Sequence, residues 1–117
     1  MREYNAILEK SMAFAVRIVK LYQYLNDEKR EFVMSKQLMR SGTSIGANAH
    51  EAVQGQSRND FLSKMSIALK EAYETGYWLT LLNRTEYLTP EQYKSIWSDY
   101  EELIRMLTSI VKSTKLK

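Results

Sequence analysis

Arg40, Ser41, Ser44, Asn48, His50 and Glu51 crowd into one stretch, Arg40-Ser41-Gly42-Thr43-Ser44-Ile45-Gly46-Ala47-Asn48-Ala49-His50-Glu51-Ala52. Together they are the side chains best suited to chemistry. Nucleophilic catalysis needs a serine, cysteine or lysine activated by an oriented base. His50 is the only histidine and cysteine is absent, so this chain has no thiolate nucleophile, zinc–thiolate site or disulfide. On a helix Glu51 points away from its neighbour His50, which leaves the imidazole without an orienting carboxylate. Helical ribonucleases set an arginine about a turn or so ahead of a histidine, whereas ten residues separate Arg40 from His50. Di-iron bundles need two Glu-x-x-His helices; Glu71 and Glu74 form only a Glu-x-x-Glu pair. Nor does the Gly-Lys-Ser/Thr of a phosphate-binding loop follow Gly42 or Gly46. No catalytic, cofactor-binding or metal-ligating residue is assigned, and the protein is expected not to be an enzyme.

The elements that carry these residues are helices. Leu38, Gly42, Ile45, Ala49 and Ala52 recur at four-three spacing, the apolar seam of a packed helix. Beside them Gln37, Ser41, Ser44, Asn48, Glu51 and Gly55 keep the same spacing and are small or polar. The reading is a helix of about 31–54, continuous through Gly42 and Gly46, stripped of bulk so that neighbours approach closely. Asn48 and Glu51 are expected to turn inward. A first helix spans about 4–25 on Ile7, Ser11, Phe14, Ile18, Leu21 and Leu25. A third, about 59–83, carries the seam Phe61, Met65, Ala68, Ala72, Thr75, Leu79 and Leu82, with Ser57 or Asn59 as cap. Thr89-Pro90-Glu91-Gln92 starts a fourth at about 90–111: threonine as cap, proline at the first helical position, glutamine to complete a capping box. Residues 112–117 read as a frayed basic tail. Four helices of similar length with short turns make an all-α, antiparallel up-down-up-down four-helix bundle, one domain over 1–117.

A hydrophobic fraction of 44% beside 26% charged residues is ordinary for a globular domain. A charged N-terminus leaves no room for a signal-peptide core, and no apolar run reaches membrane-span length, so a cytoplasmic location without membrane contact is expected. The net charge of +3 diagnoses no partner, but its distribution marks candidates. Lys10, Arg17 and Lys20 share a face of the first helix, with no acid between Lys10 and Asn26. Lys112, Lys115 and Lys117 lie at the end of the fourth and return toward Lys10. These six residues are the candidate nucleic-acid contacts. Tyr73, Tyr77 and Trp78 suit a core or subunit contact, with base stacking as the alternative.

The stretch Ser35–Ala52 resembles the signature of the four helix bundle protein family, first noticed as products of intervening sequences in bacterial 23S rRNA genes. Asp60-Phe61, Ile67–Thr75 and Tyr77-Trp78-Leu79 look like the family's third helix. Many members carry proline where Gly46 stands, and glycine where this chain has Ala52. The resemblance implies a homopentameric ring with no known enzymatic activity. It also implies kinship with accessory proteins of diversity-generating retroelements, basic bundles that assist a reverse transcriptase and contact nucleic acid. Arg40, Ser44, Asn48 and Glu51 carry over only as the polar positions of the signature. The expected function is a non-enzymatic, homo-oligomeric bundle acting as an accessory module to RNA or a nucleic-acid-binding protein. The alternative is a structural or protein-interaction ring with no nucleic-acid contact. A continuous basic stripe favours the first, and acid-paired lysines favour the second.

Overall fold

The computed structural model describes residues 4–116. Four helices follow one another: α1 (Asn5–Asp27), α2 (Met34–Val53), α3 (Arg58–Arg84) and α4 (Pro90–Leu116), with no strand among the described residues. Each packs against the next and α4 returns to α1, in a body 45 × 20 × 20 Å. The α2–α3 seam is the most extensive and the α1–α4 seam the least. Neighbours run antiparallel: Ser11 faces Gly46 while Ile18 faces Gly42, and Arg58 reaches Thr114 while Thr80 meets Tyr93. The core follows the four-three seams, with Ile7, Phe14 and Ile18 from α1, Leu38, Ile45 and Ala49 from α2, Met65, Ala72 and Leu79 from α3, and Ile96, Leu103 and Leu107 from α4.

α2 is continuous through both glycines. A Cβ added at Gly42 would stand 2.8 Å from Ile18 Cγ1, and one at Gly46 would stand 3.2 Å from Ser11 Oγ. The two helices approach at those points because nothing larger than hydrogen intervenes. On the other flank of α2, Thr75 Oγ1 lies 3.0 Å from Ser41 Oγ and 2.8 Å from the Glu71 carbonyl, so the hydroxyls are buried without being orphaned. Gly76 plays the same part on α3, where a Cβ would collide with the ring of Tyr100.

The caps explain where helices start and stop. Ser57 Oγ accepts from Asp60 N at 3.0 Å. Thr89 and Gln92 exchange the two bonds of a capping box, at 2.9 and 3.1 Å. Two boundaries differ from the sequence reading. α2 begins at Met34, not near residue 31, because Arg30 turns into the left-handed region (φ 55°) and the Glu31 carboxylate folds back over the helix start. There it accepts from the backbone N–H of Val33, Met34 and Ser35, at 3.1, 3.0 and 2.7 Å. α4 does not fray after Val111 but runs to Leu116. Thr114 is buried, and its carbonyl accepts from Arg58 Nη2 at 2.8 Å and Nε at 3.3 Å, satisfying a group that a helix end otherwise leaves bare. α3 closes with Glu86 at φ 66°; Tyr87 N donates to Leu82 O and Glu86 N to Asn83 O, a Schellman arrangement with glutamate where glycine is usual.

Two outcomes follow from this packing. Ala49→Leu, at a position with no exposed surface, and Gly42→Leu, against Ile18, should each destabilise by about 1–3 kcal/mol through overpacking, read by urea denaturation. Glu86→Gly should raise stability by about 1 kcal/mol by relieving the left-handed conformation, in the same assay.

Candidate functional site

The signature residues lie along the α2 edge that meets α3. Arg40 forks across the seam, with Nη1 3.4 Å from Glu71 Oε1 and Nη2 on Glu74 Oε2. Trp78 Nε1 also donates to Glu74 Oε2, at 3.1 Å. The indole first, and the guanidinium after it, hold the Glu74 carboxyl below the usual carboxylate range, while the bond to Glu74 pushes the Arg40 guanidinium up. Farther along, Lys64 Nζ pairs with Glu51 at 2.9 Å. Glu51 was expected to turn inward; instead its side chain is 59% exposed. A carboxylate one position from the buried Ala52 has a cation within reach at the surface and none in the core, and burying it unpaired would be costly. Ser44 and Asn48 bond to their own helix, at Arg40 O (2.7 Å) and Ser44 O (2.8 Å).

His50 is half-buried, with Nδ1 2.7 Å from Gly46 O. A carbonyl oxygen only accepts, so Nδ1 carries the proton. The imidazole is therefore tied to its own helix and orients no hydroxyl among the described residues. No group of three or more metal-ligating side chains converges among them, and no helix is long and apolar enough to cross a membrane.

The candidate phosphate contacts sit on the other side of the bundle. Lys10, Arg17 and Lys20 do share the flank of α1 that faces α4. Lys10 Nζ pairs with Glu102 at 3.1 Å. Arg17 Nη1 pairs with Asp99 at 2.7 Å and also reaches the Ser95 carbonyl, while Nη2 donates to Ser95 Oγ at 3.0 Å. Neutralisation comes not from α1, which has no acid there, but from a helix far away in sequence. Lys20 is exposed without an ion pair among the described residues. Lys112 and Lys115 are exposed on the last turns of α4; Lys112 stands about 15 Å along the axis beyond Glu102, with the exposed Arg105 between them. Lys117 lies outside the described residues.

Sequence reading missed the acceptors Ser95, Asp99 and Glu102, whose own four-three spacing was the available signal. It also missed the shape of the α1–α4 seam. Three hollows follow one another along it. The first has Ile7 and Met106 in its wall, the second Phe14 with Asp99 and Glu102, and the third, of 520 Å³, Leu21, Leu88 and Ile96. Large apolar side chains remain outside the bundle: Met12 and Val16 on α1, and Ile67, Tyr73 (56% exposed) and Tyr77 (61%) on α3. Tyr77 stands edge-on to Trp78, with ring centroids 5.0 Å apart.

The Glu74 network has a pH consequence. A carboxyl whose pKa is lower folded than unfolded adds stability above its unfolded pKa and loses it as pH falls through the folded one. Wild type should therefore lose stability on acidification below the ordinary carboxylate range. Glu74→Gln should flatten that slope, read as denaturation midpoint against pH.

Comparison with known proteins agrees with this architecture. No curated protein matches. A solved structure from Bacteroides thetaiotaomicron VPI-5482, described as a protein of unknown function from the S23 ribosomal protein family, superposes with a TM-score of 0.91 at 62% identity. The match covers 92% of this chain and 96% of that one. The family model for the 23S rRNA-intervening sequence protein matches residues 3–109. With nearly the whole bundle inside that match, from the first turn of α1 to the late turns of α4, the chain belongs to the 23S rRNA-intervening sequence protein family.

Proposed function

We propose that this chain is a non-catalytic assembly module, a homo-oligomeric bundle whose partner is protein and, in the first instance, further copies of itself. One observation carries the reading. Two of the three α1 cations that would hold phosphate, Lys10 and Arg17, are spent within the chain on Glu102 and Asp99, while apolar side chains on α1 and α3 are left uncovered. A solvent-facing aromatic pair such as Tyr73 and Tyr77, one helical turn apart, is the kind of surface that interfaces use. His50, Glu71 and Glu74 are committed to structural bonds, which supports a role without catalysis. A ring of five is what the family likeness suggests.

Lys20, Lys112 and Lys115, exposed and unmatched by acids among the described residues, support the second reading, an RNA-associated accessory module. Light scattering at micromolar concentration should return a multiple of 13.7 kDa; a monomer mass would overturn the assembly reading. RNA binding by wild type and by an Arg17→Glu/Lys20→Glu variant across a salt series should be weak and equal. Affinity that falls steeply with salt in wild type and is lost in the variant would instead favour the RNA reading.

A further inference from the structure

The widest hollow on the α1–α4 seam has a shape and a rim that assembly does not require. We propose that it binds a small amphiphilic carboxylate, an apolar body bearing one acid group. The body lies on Leu21, Leu88 and Ile96 and the carboxylate on Lys20. Every residue named belongs to one copy, so the site goes beyond the assembly reading and does not depend on it.

The hollow exists because α1 and α4 are clamped at one end of it and not along it. Arg17 makes the clamp, through its bonds to Ser95 and Asp99. Beyond it the lining passes to Leu21 and Tyr24 on α1 and to Gln92 and Glu91 on α4, with Leu88 supplied by the turn before α4. Leu88 and Ile96 are only 4% and 3% exposed, so they form a closed apolar floor rather than a rim. The volume of 520 Å³ falls within the range of small-molecule sites, which join an apolar lining to a few placed polar groups. From Arg17 to Tyr24 the lining runs about 10.5 Å along α1 at the helical rise. Such a trough suits an alkyl chain or an aromatic ring on a short arm.

The rim selects the charge. Of the two cations beside the hollow, Arg17 is committed to Asp99, whereas Lys20 is exposed with no ion pair among the described residues. The Lys20 stem can lie along the apolar wall with its ammonium at the mouth. Opposite it, Gln92 gives its Oε1 to the Thr89 N–H in the capping box, which leaves the amide NH₂ to donate. One donor thus flanks the floor from each helix, and a single carboxylate serves both. Glu91 stands on the same rim and sets the limit. It would repel the successive charges of a phosphate backbone more than one acid group seated at Lys20. A bare anion would gain little at so exposed a cation, so the apolar body must supply the affinity by its burial.

Decanoate below its micellar concentration is the probe, with decanol as the uncharged comparator. Isotope-filtered NMR should show contacts from the decanoate chain to the methyl groups of Leu21, Leu88 and Ile96, and the melting temperature should rise. Lys20→Gln should leave the melting temperature of the free protein unchanged. It should weaken decanoate about fivefold, the loss of one exposed ion pair, and leave decanol binding as it was. Absence of decanoate binding, contacts only to other apolar side chains such as Met12 or Tyr77, or equal decanoate affinity in Lys20→Gln overturns the proposal. So does a mixture of labelled and unlabelled wild type in which a second copy gives the contacts to Leu88 and Ile96, since the hollow then belongs to an interface. The mass by light scattering decides the assembly reading alone.

Discussion

Close approach of α2 to its neighbours is the constraint on which the rest of the structure depends. Gly42 and Gly46 bring α1 against α2, and Ala49, Ala52, Ala68 and Ala72 keep the α2–α3 seam slim. Two mid-helix glycines cost roughly 2 kcal/mol of helix propensity. Burial of Ile18, Leu38, Ile45 and Met65 offsets that cost only if the helices come near enough to leave no void. The same slimness decides which polar side chains can exist there. Serine and threonine hydroxyls fit the α2–α3 seam and bond across it, whereas anything longer must leave through the edge, as Arg40, Glu51 and Lys64 do.

Electrostatics then divides the surface. The α2–α3 edge is knitted by the fork of Arg40 to Glu71 and Glu74, with Trp78 on the second carboxylate, and by Glu51–Lys64. The α1–α4 edge is tied at two points by α4 acids that answer α1 bases. Exposed pairs of this kind add little stability one by one. Their effect is to remove free charge from two of the bundle's four edges, leaving apolar side chains as the distinctive features of α1 and α3.

Much of this was legible in the sequence because it is local. The capping box at Thr89–Gln92, the serine cap at Ser57 and the heptad seams involve residues within a turn or two, and the structure reproduces them. What escaped is non-local. Arg58 bonding the carbonyl of Thr114, which carries α4 five residues past its expected end, is a contact across most of two helices. The α1 cations looked unopposed because their partners lie 82 positions away in the case of Arg17 and Asp99. Glu51 was misplaced for another reason: its four-three spacing fits the polar seam, but side-chain length and charge carry it to the edge, where Ser44 and Asn48 stay half-buried. The Glu31 cap was invisible because glutamate reads as a helix former, and only the left-handed turn at Arg30 folds its carboxylate back.

The unequal seams also carry a kinetic meaning. Three of them join helices adjacent in sequence across short turns, so they form early and cheaply during folding. The α1–α4 seam alone must draw together the two outermost helices, and it is the least extensive of the four. It is therefore the last to close as the chain folds and the first to part in native fluctuations. Backbone amides in α2 and the inner turns of α3 should exchange with solvent only when the whole domain unfolds, whereas α1 and α4 should exchange through a smaller opening that leaves the α2–α3 pair standing. A contact that bridged the α1–α4 seam would slow this opening, since the bundle has its loosest joint there.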